Sequence, residues 1–284
     1  MNFYLKNPKS IVILGHPLEH TLSPLIHNYA FKYHNLDYVY SALSIKPEDI
    51  SKLGKDFLKI LSIYGGNITI PFKELMFNYL DKFSNEASEI GAINTFHNRD
   101  GTLYGYNTDL YGFTKSLENY ENYINNKKTI ILGTGGSSRA VSNGLFKLNS
   151  KEIIIISRDL ERAKVFSDNY NQKYVTNKFK FDDYRYFNNQ ENLSNIGAVI
   201  NTTPLGMYDN NSALSYDLVA KMNSDTLFYD LIYNPEVTSF LRFAKETKKE
   251  ILNGKSMLIY QASKSFNIWT GYEFPISDIL NLKL

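Results

Sequence analysis

The sequence predicts an α/β protein of two domains, and three observations support this. Its 284 residues are about twice the length of a common domain. Apolar runs of strand length alternate with helical patterns, first around residues 11–14 and again around 130–132. A glycine-rich loop, Gly133-Thr134-Gly135-Gly136, follows the later run and precedes a helical segment. That order is typical of a Rossmann-like nucleotide-binding domain.

The first half of the chain alternates strand and helix. Ser23 and Pro24 favour a helix start, because serine is a good N-cap and proline fits the first helical turn. Gly65 and Gly66 are expected to give a flexible entry to a short strand, which ends at Pro71. The predicted elements are a strand at 11–14, a helix from 23, a strand at 38–43, a helix from 47 to 61, and a strand at 65–71. This succession indicates a sheet with a parallel component.

The second half predicts a βαβ succession. Strand Glu152 to Arg158 contains four consecutive isoleucines, which favours burial on both faces of a parallel sheet. On composition, residues 126–128 make the best domain boundary. The predicted elements are strands at 127–132, 152–158, 198–201 and 227–230, with helices at 138–147 and 256–269.

Composition and charge narrow the function classes. Thirty-one basic against 29 acidic side chains leave a net charge of +2, too little to make nucleic-acid binding the default interpretation. The absence of cysteine excludes disulfides and thiol nucleophiles. The N-terminus lacks the pattern of a signal peptide, and no apolar run reaches the roughly 20 residues of a membrane helix. We expect a soluble cytoplasmic protein.

The glycine loop indicates a dinucleotide site. Glycine permits the tight turn and lets the backbone approach a pyrophosphate, whose charge is stabilised at the helix N-terminus. Ser138 stands where the strict fingerprint has its third glycine, and Ala140 could supply the close helix–strand contact.

The end of the next strand distinguishes the two nicotinamide cofactors. Ser157, Arg158 and Asp159 stand there, with Arg162 one turn on. An arginine pairs with a 2′-phosphate, so Arg158 favours NADP over NAD. Asp159 favours either a ribose contact or a position in the first turn of the following helix, and the sequence leaves both open.

Polar residues in the first half form a second candidate site. Strand alternation places Asn67 and Thr69 on the same face. Each candidate also has a structural explanation: Ser23 as a helix cap, Thr69 as a β-former, Lys73 as a solvated surface lysine, and Asp109 as another cap. Taken one at a time, these residues do not indicate a reaction.

Taken together, the motifs resemble the shikimate dehydrogenase family, whose members reduce 3-dehydroshikimate to shikimate with NADPH. The matching motifs are Thr21-Leu22-Ser23-Pro24-Leu25-Ile26-His27-Asn28, Asn67-Ile68-Thr69-Ile70-Pro71-Phe72-Lys73, Gly91-Ala92-Ile93-Asn94-Thr95, Gly105-Tyr106-Asn107-Thr108-Asp109, Gly133-Thr134-Gly135-Gly136, Asn201-Thr202-Thr203-Pro204-Leu205-Gly206-Met207, Asp230-Leu231-Ile232-Tyr233-Asn234-Pro235, and Gly254-Lys255-Ser256-Met257-Leu258 leading to Gln261-Ala262. They occur in family order over nearly the whole chain.

The resemblance implies a role for each candidate residue. Lys73 is expected to be the catalytic lysine and Asp109 its carboxylate partner. The substrate-binding residues implied are Thr21, Ser23 and Tyr233 for the carboxylate, and Asn67, Thr69, Asn94, Asp109 and Gln261 for the ring hydroxyls. The cofactor-binding residues implied are Gly133, Thr134, Gly135, Gly136, Ser137, Ser157, Arg158, Arg162, Thr202, Leu231 and Gly254.

The resemblance also implies the organisation of the molecule. The substrate domain would consist of residues 1–108 and 255–284. It would be discontinuous, because the C-terminal helix would pack back against the first domain. A doubly wound NADP domain would cover 109–254, with a cleft between the two. The expected setting is aromatic amino acid biosynthesis through chorismate, in a monomer or homodimer with no metal.

One departure and two other functions remain open. Thr21 replaces the serine usual in the family, which leaves discrimination against quinate uncertain. A broader quinate/shikimate dehydrogenase that uses NAD or NADP is therefore the first alternative, and a non-catalytic nucleotide-sensing protein is the second. A metal site built from His16, His20, His27 and His34 is disfavoured, because Pro17 and Pro24 interrupt the spacing.

Overall fold

A computed structural model describes residues 7–19, 21–54 and 56–282. The strands in chain order are β1 (Lys9–Gly15), β2 (Tyr38–Ser44), β3 (Gly65–Ile68), β4 (Lys82–Phe83), β5 (Thr95–Arg99), β6 (Thr102–Tyr106), β7 (Lys128–Leu132), β8 (Glu152–Ile156), β9 (Phe179–Asp182), β10 (Ile196–Asn201), β11 (Leu227–Asp230) and β12 (Glu250–Leu252). The helices are α1 (Ser23–Tyr33), α2 (Phe57–Ile60), α3 (Asn85–Ile90), α4 (Asp109–Ser116), α5 (Gly136–Lys147), α6 (Leu160–Tyr174), α7 (Tyr216–Lys221), α8 (Ser239–Glu246), α9 (Lys255–Thr270) and α10 (Ile276–Leu280). His20 and the start of the chain, on which the signal-peptide prediction rests, lie outside the described residues.

The described part of the chain forms two compact units. Unit 1 runs up to Gly112 and resumes at Ile259, and unit 2 is Phe113–Leu258. The composition-based boundary at 126–128 is wrong, because Phe113, Leu117 and Ile124 are already buried in the core of unit 2. The boundaries implied by the resemblance, 1–108 with 255–284 and 109–254, lie a few residues from these divisions and stay a prediction.

Unit 1 contains a mixed sheet, with the strand order β2-β1-β3-β5-β6-β4. β1 is parallel to β2 and β3, whereas β5 is antiparallel to β3 and β6. Gly65 and Gly66 are buried residues of β3 rather than a flexible entry to it. A Cβ on Gly65 would lie 2.8 Å from the Trp269 ring, and one on Gly66 would overlap the carbonyl oxygen of Val12. Close packing therefore requires glycine at both positions.

The helix predicted over 47–61 is wrong. Residues Ile50–Leu53 form a 3-10 turn, Gly54 follows with φ 73°, and α2 covers Phe57–Ile60. Glycine tolerates this left-handed conformation, and it ends the first turn. The two short segments still bury Ile50 and Phe57 in the core of the unit.

Unit 2 contains a wholly parallel sheet, with the strand order β12-β11-β10-β7-β8-β9. Apolar residues on both faces of the central strands pack into two separate core clusters, and this explains the continuous isoleucine run in β8. The strand order reverses between β10 and β7, so the carboxyl end of β7 marks the topological switch point. In such sheets ligands bind at that point. The predicted Rossmann-like fold is confirmed.

Two features are absent from the described residues. None of the helices there is long and apolar enough to cross a membrane. In the same part of the chain, no group of three or more His, Cys, Asp or Glu side chains could hold a metal ion.

Candidate functional site

Lys73 and Asp109 form a partly enclosed ion pair in unit 1. Lys73 Nζ lies 2.6 Å from Asp109 Oδ2, and the two side chains are only 14% and 7% exposed. Asp109 begins α4, and the backbone amide of Ile93 donates to the carbonyl oxygen of Lys73, which fixes the lysine backbone beside the sheet. The interpretation of Lys73 as a solvated surface lysine is therefore wrong. An ammonium held beside a carboxylate can donate to a developing oxyanion and can exchange protons.

Asn94 connects this ion pair to neutral polar side chains. Its Nδ2 donates to Asp109 Oδ1 at 2.8 Å and to Thr108 Oγ1 at 2.9 Å. Its Oδ1 accepts from the backbone amide of Thr108 at 2.7 Å, which sets the orientation of the Asn94 amide. Gln261 Oε1, on α9, lies 3.4 Å from Asn94 Nδ2. The structure thus brings four predicted site residues together: Lys73, Asp109, Asn94 and Gln261.

Asn67 joins the same cluster from β3. Its Oδ1 accepts from the hydroxyl of Tyr40 at 2.7 Å, and its Nδ2 donates to the carbonyl oxygen of Asn94 at 3.2 Å. Thr69 lies just beyond the end of β3 and is half-buried, and its amide donates to the carbonyl oxygen of Leu14. The sheet register explains the Asn67–Asn94 contact, because Asn67 pairs with Thr95 across β3 and β5.

Thr21 and Ser23 lie at the start of α1. Ser23 is buried, and its amide donates weakly to Thr21 Oγ1 at 3.4 Å. The expectation that Ser23 caps the helix is wrong: the N-cap is Leu22, no side chain caps it, and Ser23 is the first helical residue. Tyr233, the third predicted carboxylate contact, belongs to unit 2 and is half-buried there.

Three hydroxyls of this cluster, on Thr95, Thr108 and Ser265, were missed by the site prediction. Thr95 and Thr108 lie inside two of the motifs that resemble the family, at 91–95 and 105–109. Ser265 lies one helical turn after Gln261, on the same face of α9, and this i,i+4 spacing was the signal available in the sequence.

The predicted nucleotide loop leads from β7 into α5. Gly133 has φ 109°, a conformation that side chains other than glycine rarely adopt. Gly135 is the N-cap, and Gly136 and Ser137 open the helix, so the loop leads into the helix end at which anions are stabilised. Thr134 is buried between them. The loop has the local structure that a pyrophosphate requires.

Neighbouring strand ends hold this loop in place. Thr202 Oγ1 donates to the carbonyl oxygen of Leu132 at 2.7 Å and lies 2.6 Å from Ser138 Oγ. A Cβ on Gly133 would lie 2.8 Å from Thr202 Oγ1. A Cβ on Gly254 would overlap the carbonyl oxygen of Leu231, so glycine is required there for the two loops to approach.

Asp159 follows the end of β8 and caps the next helix. Its carboxylate accepts from the amide of Arg162 at 3.0 Å, which makes it the N-cap of α6, while its own amide donates to Ser157 Oγ. Arg162 Nη2 donates to the carbonyl oxygen of Thr134 at 3.4 Å, next to the glycine loop. Arg158 is exposed. The capping role explains the acidic residue without a ribose contact.

Asp230 anchors the ends of β10 and β11. It is fully buried, and its carboxylate accepts from Thr238 Oγ1 at 2.6 Å, Asn201 Nδ2 at 3.0 Å and the amide of Ile232 at 3.1 Å. Burial raises the pKa of Asp230 to about 6, against the opposing effect of these donors. Thr202 and Leu231, both predicted cofactor residues, directly follow Asn201 and Asp230.

Comparisons with known proteins agree on one family. The profile of the shikimate dehydrogenase substrate binding domain matches residues 13–96. A shikimate dehydrogenase (NADP(+)) of Caldanaerobacter subterraneus subsp. tengcongensis is 41% identical over 275 residues, covering 96% of this chain and 95% of the relative. One of Methanocaldococcus jannaschii is 40% identical over 273 residues, covering 96% and 95%.

Solved structures give the same result. A shikimate dehydrogenase in complex with NADP+ has a TM-score of 0.86 and 38% identity, covering 96% of this chain and 94% of the other. A quinate dehydrogenase from Corynebacterium glutamicum in complex with NAD has a TM-score of 0.84 and 26% identity, covering 96% and 97%.

Proposed function

The chain belongs to the shikimate dehydrogenase family, and we propose that it is an NADP-dependent shikimate dehydrogenase that interconverts 3-dehydroshikimate and shikimate. The observation that carries the proposal is the ion pair of Lys73 and Asp109, enclosed by the amides of Asn94 and Gln261. The reaction would serve aromatic amino acid biosynthesis through chorismate.

Lys73 would move the proton in this reaction. When bound, NADPH supplies the hydride, and its arrival at the ketone carbon leaves negative charge on the oxygen. The Lys73 ammonium would donate to that oxygen, and in the oxidative direction the neutral amine would accept the alcohol proton. Asp109 holds Nζ in position through the 2.6 Å contact.

The polar residues of unit 1 fit a carboxylated ring with several hydroxyls. Neutral amides and hydroxyls can donate or accept without the cost of burying further charge. A substrate that leaves one of these groups unpaired loses about 1–3 kcal/mol of binding, so the site would discriminate strongly between polyols. We assign ring hydroxyls to Asn67, Thr69, Asn94, Asp109 and Gln261, and the carboxylate to Thr21 and Ser23.

The residues of unit 2 fit NADP. The amides at the start of α5 and the glycine loop would hold the pyrophosphate. The atoms around Gly133 and Gly254 leave no space for a Cβ, so the backbone itself would line this site. Ser157, Arg158 and Arg162 would address the 2′-phosphate, because the arginine guanidinium matches phosphate geometry. Thr202 and Leu231 complete the proposed cofactor contacts.

Initial rates with shikimate and quinate, each with NADP and NAD, test the proposal. We expect shikimate with NADP to dominate. Comparable rates with quinate or NAD would favour the broader quinate/shikimate dehydrogenase, for which the quinate dehydrogenase similarity and Thr21 are the supporting observations. Nucleotide binding without turnover of any pair would favour the non-catalytic alternative.

A Lys73→Met variant tests the proton transfer. We expect kcat to fall by about 10²–10⁴-fold, as is usual when a general acid–base is removed. Lys59→Met is the matched control, because Lys59 also forms an ion pair in unit 1, at 2.9 Å from Asp81, outside the proposed site. Equal kcat values in the two variants would exclude the assigned role of Lys73.

A further inference from the structure

Three buried hydroxyls lie in mutual contact beneath the proposed substrate site, and we call them the hydroxyl triangle: Thr95, Thr108 and Ser265. Their oxygens are separated by 2.8 Å (Thr95–Ser265), 3.1 Å (Thr108–Ser265) and 3.3 Å (Thr95–Thr108). All three side chains are 1% exposed or less. They come from β5, from the turn before α4 and from α9, so the triangle joins three elements of unit 1.

Each member of the triangle contacts an amide that we assign to the substrate. Asn67 Nδ2 donates to both Thr95 Oγ1 and Ser265 Oγ, each at 3.0 Å. Thr108 Oγ1 accepts from Asn94 Nδ2 at 2.9 Å. The Thr108 hydroxyl also lies 3.4 Å from Gln261 Oε1, and the Ser265 hydroxyl lies 3.1 Å from the Gln261 carbonyl oxygen.

Counting donors gives this cluster a consistent hydrogen-bond pattern. A hydroxyl has one hydrogen to donate and two lone pairs to accept with. The amides of Asn67 and Asn94 donate into the triangle, so its three hydrogens are shared between the contacts within the triangle and three acceptors around it. Those acceptors are Asn94 Oδ1 at 3.1 Å from Thr95, Gln261 Oε1 near Thr108, and the Gln261 carbonyl oxygen near Ser265.

This hydrogen-bond pattern determines whether the oxygen or the nitrogen of the Asn67 and Gln261 side-chain amides faces the hydroxyl triangle. Asn67 is fixed from both sides, because its oxygen accepts from Tyr40 while its nitrogen donates to the triangle. For Gln261 the oxygen is turned toward Thr108, so its Nε2 donor is on the other side of the planar amide. A polyol substrate would therefore meet two side-chain amides whose donor and acceptor ends are already oriented.

We infer that Ser265 is a positioning and specificity-determining residue, which closes the hydroxyl triangle and thereby orients Asn67 and Gln261 toward the ring hydroxyls of the substrate. The inference rests on the proposed function. Ser265 contacts neither Lys73 nor Asp109 in the hydrogen-bond network, and it lies in a different unit from the nucleotide loop. Its removal should therefore change substrate binding far more than proton transfer or cofactor binding.

The test compares Ser265→Ala and Ser265→Cys with the wild-type enzyme. Alanine removes the hydroxyl and leaves space, whereas cysteine fills the position with a larger, weakly hydrogen-bonding sulfur, so an effect common to both variants reports the lost bonding. Ser263→Ala is the matched control: Ser263 lies on the same helix, and its hydroxyl donates to the carbonyl oxygen of Tyr260 at 2.7 Å, away from the triangle.

We expect both Ser265 variants to raise the KM for shikimate about 3–10-fold, the equivalent of one net hydrogen bond. The preference for shikimate over quinate should fall, while kcat and the KM for NADP change less than about 2-fold. KM values equal to those of Ser263→Ala would overturn the inference, as would a loss of kcat and thermal stability with KM unchanged. A wild-type enzyme that turns over neither shikimate nor quinate would instead overturn the proposed function, and the inference with it.

Discussion

Lowering the pH from 7 to 5 is expected to destabilise unit 1 through His27. This residue of α1 is fully buried, and its ring stacks on Tyr40 with centroids 4.6 Å apart and 10° between the planes. In the described part of the chain, neither ring nitrogen of His27 has a hydrogen-bond partner. Burial lowers the pKa of His27 from 6.5 to about 3.

The sign and size of the effect follow from proton linkage. Between pH 6.5 and 3 the unfolded chain binds a proton at His27 that the folded chain does not, so stability is present above this window and is lost as the pH falls through it. At pH 5 the loss relative to pH 7 is about 2 kcal/mol, and below pH 3 it approaches about 5 kcal/mol.

The assay is urea denaturation at pH 5 and pH 7, followed by fluorescence. Trp269 is the sole tryptophan of the sequence and its ring lies 5.1 Å from that of His27, so its emission reports on the unfolding of unit 1. His27→Phe is the comparison variant, because phenylalanine keeps a planar ring against Tyr40 and forfeits no hydrogen bond. Its difference in unfolding free energy between the two pH values should be smaller by about 2 kcal/mol. His97, whose pKa burial lowers to about 4, titrates in both proteins and cancels in the comparison. An equal pH dependence in both proteins would refute the reasoning.

Two further substitutions test unit 2. Arg158→Gln should reduce kcat/KM with NADP by about 10–100-fold, the range for a lost charge-assisted hydrogen bond, and leave the value with NAD nearly unchanged. Initial rates measure both, and equal losses with the two cofactors would contradict the 2′-phosphate contact. Asp230→Asn should lower the free energy of unfolding by about 1–3 kcal/mol, because its amide nitrogen replaces one of the two accepting oxygens and faces either Asn201 Nδ2 or the Thr238 hydroxyl. Adding Asn201→Asp exchanges carboxylate and amide and should recover most of that loss in urea denaturation, whereas strictly additive losses would show that the pair does not interact.

Unit 2 was predicted from sequence more completely than unit 1, for a physical reason. Parallel strands buried on both faces produce uninterrupted apolar runs such as Ile153–Ile156, and the glycine loop follows its strand directly. The predicted helix over 47–61 failed because Gly54, at φ 73°, divides a segment whose apolar spacing alone favours a helix. Helix propensity does not indicate at which position a glycine will adopt a left-handed conformation.

The candidate site shows a different limit of prediction from sequence. Lys73 and Asp109 are 36 residues apart, and they meet because β3, β5 and β6 pair in antiparallel register between them. Spacing along the chain contains no information about that register, so the residues alone indicated no reaction and the family resemblance supplied the roles. Ser265 shows the complementary limit: its i,i+4 spacing from Gln261 places both on one face of α9, but the sequence does not show that Thr95 and Thr108 contact that face.

Most of the side chains that we assign to substrate recognition in unit 1 are uncharged, whereas the reaction uses a charged pair. The amides and hydroxyls around Asn67 satisfy one another before a substrate arrives, so their burial costs little and their orientation is already set. The charge that the reaction needs is confined to Lys73 and Asp109, which meet this network through Asn94. Exchanging a neutral side chain such as Thr21 or Ser265 can therefore change which ring substituents are accepted, while the 2.6 Å ion pair keeps its geometry. Substitutions at such neutral positions can change the KM for related polyols, because the hydroxyl of Ser265 contacts neither Lys73 nor Asp109.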